Sequence, residues 1–177
     1  TRDILYVKGE LNKEVVHVFV NHWPSRRDGD VATEYKRIVA AKEIIEKVAS
    51  IRLEEVDPNI IVMGDFNDDP ISKSIQTLKE GAGLFNPMET VHIPENRGTS
   101  IYRGKWNMFD QILVSNSFFN FKKNTHSFDT ANIYDHKSLK EKKGKYKGAP
   151  YRTYVAHRYM GGHSDHFPVY AVFTFNS

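Results

Sequence analysis

The chain has 177 residues, 40% of them apolar and none of them cysteine. That length suits one domain with its own core, expected over residues 1–177, and the lack of cysteine excludes a disulfide framework, a thiolate metal site and a thiol nucleophile. With 25 basic against 22 acidic residues, a net charge of +3, attraction to a polyanion would have to come from local clustering; no stretch reaches the ~18 to 20 apolar residues of a membrane span.

Leu5-Tyr6-Val7 runs into a turn at Gly9 and is followed by Val15-Val16-His17-Val18-Phe19-Val20, the layout of a hairpin. The opening from Thr1 to Gly9 has no signal-peptide pattern, and a start inside a hairpin is expected of a segment from within a longer domain. The second run is apolar enough for a buried strand and stops at Asn21-His22. From Ala32 to about Val56, Tyr35, Ile38, Ala41, Ile45 and Val48 recur at three- and four-residue spacings, which predicts an amphipathic helix covering a sheet. Asp57-Pro58 ends it, and Asn59 to Met63 forms the next buried strand, closing at Gly64-Asp65. Strand, crossover helix, strand implies two parallel strands, so His22 and Asp65 should meet at one sheet edge, where ligand sites collect.

Ser72 is expected to cap a short helix to Glu80. Thr99 to Tyr102 and Phe109 to Val114 read as paired strands around Arg103-Gly104-Lys105-Trp106, and Pro168 to Phe175 as a closing strand. Asp135 to Tyr151 carries Lys137, Lys140, Lys142, Lys143, Lys145 and Lys147 without an apolar period, which predicts a mobile surface loop with a solvated or phosphate-attracting face.

Three polar clusters close these apolar runs. Asp65-x-Asn67-x-Asp69 resembles the start of a calcium loop, but Pro70 and Gln76 occupy the positions of its glycine and bidentate glutamate, which excludes an EF-hand. In an extended segment Asp65 and Asn67 would point the same way and converge on one ligand; the plainer reading is an Asx turn that satisfies its own backbone. His163-x-x-His166 lacks a helix and a third ligand, so oxygen-rich Mg²⁺ or Mn²⁺ chemistry is favoured over zinc. Asp110, flanked by an apolar strand, needs a partner, and a histidine ring is the obvious one. His17, His92, His126 and His157 read as structural or surface histidines.

Asn21-His22, Gly64-Asp65-Phe66-Asn67, the run Trp106 to Ser115 and the run Ser164 to Val169 together resemble, in order and spacing, the endonuclease/exonuclease/phosphatase superfamily of DNase I-like fold. The resemblance covers essentially the whole chain. It implies an α+β fold, a four-layer α/β/β/α sandwich, and hydrolysis of phosphate esters with Mg²⁺ or Mn²⁺. By resemblance Asp65 would align or activate the attacking water and Asn67 would hold the water or a phosphate oxygen. His166, supported by Asp110, would bind the scissile phosphate, His22 would act toward the leaving group, and Asp165 would be a metal ligand. Asn21, Arg26, Arg27 and Trp106 are the residues expected to contact substrate, and Trp23, Trp106 and the lysine loop are candidate elements for a nucleic acid.

Family members also carry an asparagine and a metal-binding glutamate far upstream of the His22 motif, and only 21 residues precede His22. Glu10 and Glu14 flank a hairpin turn and are poor substitutes. The chain is therefore expected to be the C-terminal portion of such a domain, with an exposed apolar sheet covered by the missing N-terminal half or by a second copy. The competing expectation is a non-catalytic phosphate-binding remnant or interaction module.

Overall fold

The computed structural model describes residues 2–177; Thr1, the first residue of the expected domain, lies outside them. The chain opens with β1 (Leu5–Leu11) and β2 (Glu14–His22), an antiparallel hairpin whose turn places Asn12 and Lys13 at positive φ. A 25-residue helix, α1 (Asp30–Glu54), then crosses over to β3 (Asn59–Asp65), which lies parallel to β2. α2 (Lys73–Gly81), β4 (Leu84–Phe85), β5 (Ser100–Tyr102), β6 (Lys105–Asn107) and β7 (Asp110–Ser115) follow. The chain closes with β8 (His126–Ile133), β9 (Tyr154–Val155), β10 (Arg158–Tyr159) and β11 (Val169–Phe175).

The main sheet has the order β1-β2-β3-β7-β4 and is mixed, because β7 runs antiparallel to β3. On one face α1 and α2 bury Ala41, Ile44, Val48, Ile75 and Leu78 against Phe19, Ile60, Val62 and Leu113. On the other face β8 and β11 form a two-stranded sheet whose Phe128, Val169, Ala171 and Phe173 pack on Ile61, Met63, Ile112 and Val114. Three of the four expected layers, α/β/β, are present among the described residues. The β1 and β2 end of that second face is open: Leu5, Val7, Leu11 and Val20 are all exposed.

Four local expectations need correction. The helix begins at Asp30 and ends at Glu54, and its buried stripe is Thr33, Arg37, Ala41, Ile44, Val48 and Ile51, so Tyr35 faces solvent and Ile38 and Ile45 only flank the core. A polar pair entered the stripe because it has buried partners, described below. β5 pairs with β6 through a turn at Arg103 and Gly104, both at positive φ, and leaves Phe109 to Val114 to pair with β3 and β4 instead. Ser72 does sit at the N-cap of α2, yet its hydroxyl accepts the Asp69 N–H (3.1 Å) and makes no cap bond.

The lysine-rich segment is the fourth. It is tied down by Glu141 N–H to the Ala149 carbonyl (2.8 Å), Gly148 N–H to the Glu141 carbonyl (2.8 Å) and the Lys140–Asp135 ion pair (2.6 Å), and Ala149 is buried. Its order comes from backbone pairing, which the absence of an apolar period does not report.

Candidate active site

Strand register builds the site. Val16 on β2 packs toward the second sheet, and the two-residue repeat of a strand puts Val18, Val20 and His22 on the same face further along. His22 stands opposite Asp65 on β3, and Asp65 stands opposite Asp110 on β7. Three ionisable side chains therefore form one row across three adjacent strands, at the edge where the apolar pattern of each strand stops. Gly64 makes this close approach possible: its φ is +133°, and a Cβ there would lie 2.1 Å from the Asn21 carbonyl oxygen.

His166 completes the row from the loop before β11. Its Nδ1 is 2.7 Å from the Asp110 carboxylate, which fixes Nδ1–H as donor and leaves Nε2 without a hydrogen-bond partner among the described residues. Burial alone would lower the ring's pKa, but the hydrogen bond and the charges of Asp110, Asp65 and Asp165 outweigh it and raise the value above that of an ordinary histidine. Asp65 is pushed up as well, first by burial and then by the neighbouring Asp110 charge, against the counteracting charges of His166 and His22. Its Oδ2 lies 3.4 Å from His22 Nε2 and its Oδ1 accepts the Asn67 N–H (2.9 Å).

That last bond corrects the expectation of two side chains converging from an extended segment. The strand ends at Asp65, Asn67 takes φ +51°, and the Asx turn predicted as the plainer reading forms. Asn67 nevertheless stays beside the row, with one amide hydrogen committed to the Trp23 carbonyl (2.9 Å) and the other unused.

The remaining predicted residues divide. Asp165 is exposed next to His166 and contributes to its electrostatics. Asn21 points to the helix side, bonding the Met63 carbonyl (3.2 Å) and accepting from Trp23 Nε1 (3.0 Å). Trp23 is almost completely buried, edge-on to Phe66, which removes it as an element for a nucleic acid. Trp106 is half-buried and stacked on Phe167. Arg26 spends Nε and Nη2 on the Asn67 carbonyl and on Asp68 (2.8 and 2.7 Å) and lies over the Phe109 ring, while Arg27 is exposed. No three His, Asp or Glu side chains among the described residues converge closely enough to hold a metal ion. These residues alone do not compose a divalent-cation site.

Sequence reasoning missed two supports. Thr99 is fully buried; its Oγ1 accepts the N–H groups of Phe109 and Asp110 (both 3.2 Å), and its carbonyl accepts that of Phe167 (2.8 Å). One residue thus ties both halves of the Asp110–His166 pair. Behind Asn67, the buried Asp68 carboxylate takes Arg37 Nε (2.6 Å), Arg26 Nη2 (2.7 Å) and the Ser74 hydroxyl, while Arg37 also bonds Thr33 and Asp30 (both 2.7 Å). Gln111, equally buried, donates to the Asp68 carbonyl (2.6 Å). The available signal was Arg37 on the stripe 33, 37, 41, 44, 48, 51; a charged residue at a core position demands a buried partner.

The sequence matches the profile of the Endonuclease/Exonuclease/phosphatase family over residues 1–174. No curated protein matches it. Among solved structures it is similar to a beta toxin of Staphylococcus aureus, at 19% identity and a TM-score of 0.61 over 96% of this chain and 56% of that one. A truncated TDP2 of Caenorhabditis elegans follows at 15% identity and TM-score 0.56, covering 96% of this chain and 58% of that one. A mannosyl-6-phosphatase of Bacteroides thetaiotaomicron gives 17% identity and TM-score 0.50 over 92% and 51%. The chain thus spans little more than half the length of these neighbours, whose fold is DNase I-like, as the resemblance implied. A match across nearly its whole length places the chain in the Endonuclease/Exonuclease/phosphatase family.

Proposed function

We propose that this chain carries the acid-base half of a phosphoester hydrolase, in one domain portion spanning residues 1–177. The observation that supports this most is the row His22–Asp65–Asp110 with His166 bonded to Asp110 at 2.7 Å. Asp65 takes a proton from a water whose oxygen adds to phosphorus; the ester P–O bond breaks, and the departing oxygen receives a proton from His22. The His166 imidazolium, held by Asp110, faces the negative charge that grows on the nonbridging oxygens. Asn67 lends its free amide hydrogen to the water or a phosphate oxygen, and Asn21, Arg26, Arg27 and Trp106 stand as outer candidates for substrate contact. A neighbour of similar fold is described as a mannosyl-6-phosphatase, which is consistent with this reaction type. Nucleic acid and small phosphoesters both remain within the substrate class.

Family members commonly use divalent metals, and Mg²⁺ or Mn²⁺ is proposed here with Asp165 as one ligand. The lack of a three-ligand group favours a second reading, phosphate binding without turnover. Hydrolysis of a p-nitrophenyl phosphodiester in H₂¹⁸O, with Mg²⁺, Mn²⁺ or EDTA, separates the two. The first reading predicts metal-dependent turnover with one ¹⁸O in the phosphate product; phosphate affinity with no turnover at any metal concentration would establish the second.

A further inference from the structure

A cavity of about 670 Å³ is walled by the β5–β6 hairpin, the lysine-rich segment and the β9–β10 hairpin. Its lining is mainly apolar: Ile101, Ala149, Pro150, Val155 and Met160 are joined by the rings of Tyr102 and Tyr146. Its rim carries Arg103, Lys145 and Arg152 against a single carboxylate, Glu141. None of the three cations forms an ion pair among the described residues, whereas Glu141 Oε1 is already occupied by the N–H groups of Lys142 (3.0 Å) and Lys143 (3.5 Å). The rim is therefore net positive.

The walls are joined to the catalytic row by the backbone. The Tyr151 carbonyl accepts the N–H groups of His163 (2.7 Å) and Ser164 (3.3 Å), and Gly162 N–H bonds the Arg152 carbonyl (3.2 Å). The two segments run so close that a Cβ on Gly162 would lie 2.1 Å from the Tyr151 oxygen. On the other wall Thr99, which braces Asp110 and Phe167, leads directly into β5. A group seated in the cavity is thus one loop away from the phosphate position at His166.

From this we infer that the cavity receives the aliphatic body of an amphiphilic phosphoester, with the cationic rim drawing the ester's negative charge toward the row. The inference rests on the phosphoesterase reading and narrows its substrate. A volume in the ~300–1,000 Å³ range of ligand pockets, with an apolar lining and few polar groups, fits a compact organic body. Tyr102 and Tyr146 add two exposed rings on which a base could stack, so the affinity of a nucleic-acid strand is one of the outcomes tested below.

The test compares p-nitrophenyl phosphodiesters whose second ester group is methyl, butyl or octyl, on the wild-type protein and on Val155→Glu, a change at a half-exposed lining position. Calorimetry with octylphosphonate and with a single-stranded oligonucleotide accompanies the kinetics. Wild-type kcat/KM should rise at least tenfold from methyl to octyl, since each buried methylene is worth up to about fourfold. Val155→Glu should flatten that series, keep the methyl ester rate and lose octylphosphonate binding. A chain-length series that is flat in the wild type, or steep and unchanged in Val155→Glu, overturns the inference, as does tight oligonucleotide binding with none for octylphosphonate. Should no ester be hydrolysed while octylphosphonate binds the wild type and not Val155→Glu, the catalytic reading fails and the cavity assignment stands.

Discussion

The ring of His166 is pulled two ways, and the balance sets how the site responds to pH. Burial opposes its charge, while the Asp110 hydrogen bond and three nearby carboxylates favour it and win. The imidazolium therefore survives to higher pH than an ordinary histidine, and turnover should fall as pH rises through that elevated pKa. Asp65, raised chiefly by burial, must be ionised to accept a proton, so turnover should also fall as pH drops through its own elevated value. The result is a bell-shaped kcat/KM profile, and Asp110→Asn should move its alkaline limb to lower pH, which a pH–rate series would read directly. The same shift bears on stability: with a folded pKa above the unfolded 6.5, the His166 contribution is fully present below about 6.5 and lost as pH rises through the folded value. At Asp65, replacement by Ala removes the acid-base group itself, and kcat should drop ~10² to 10⁴-fold, with circular dichroism confirming an unchanged fold.

At the scale of elements, the row rests on buried supports. Arg37 on α1 and Asp68 after β3 form an ion pair with both side chains nearly fully buried, at 2.6 Å, and deleting Asp68 leaves the buried Arg37 with only the exposed Asp30 carboxylate as counter-charge. Asp68→Ala should cost about 3–5 kcal/mol in urea denaturation, whereas a surface change such as Lys36→Ala should cost little. Thr99→Val keeps the shape but removes the acceptor shared by the Phe109 and Asp110 N–H groups; it should lower kcat more than it raises KM, because it loosens the Asp110–His166 pair.

The same elements explain what was legible. His22, Asp65 and Asp110 stand out because each is a polar residue at one end of an apolar strand, and strand register brings them to one row. Arg37 obeys the helical period and sits on the buried stripe, but the buried partner that makes this possible, Asp68, is brought there only by the tertiary fold. The β3–β7 pairing is long-range and has no local signature, so the nearer β5–β6 turn was read as joining the wrong strand. Trp23 was misjudged for a related reason: only the tertiary fold buries it against Phe66.

At the scale of the whole molecule, the main sheet is covered unevenly. β8 and β11 shield the β3 and β7 end, but Leu5, Val7, Leu11 and Val20 leave an apolar strip on β1 and β2 open to water. Such a strip favours a covering partner, either a further sheet-forming segment or a second copy. In isolation the chain should bind a hydrophobic dye or self-associate, and Val7→Lys with Val20→Lys should diminish both in sizing and fluorescence experiments; a monodisperse monomer that binds no dye would contradict this.

The central claim, that the row at the sheet edge hydrolyses phosphoesters, is tested most directly by steady-state cleavage of a p-nitrophenyl phosphodiester in Mg²⁺ by the wild-type protein beside His166→Ala. The account predicts measurable wild-type turnover and a loss of ~10² to 10⁴-fold in the variant. Equal turnover by the two proteins would contradict it.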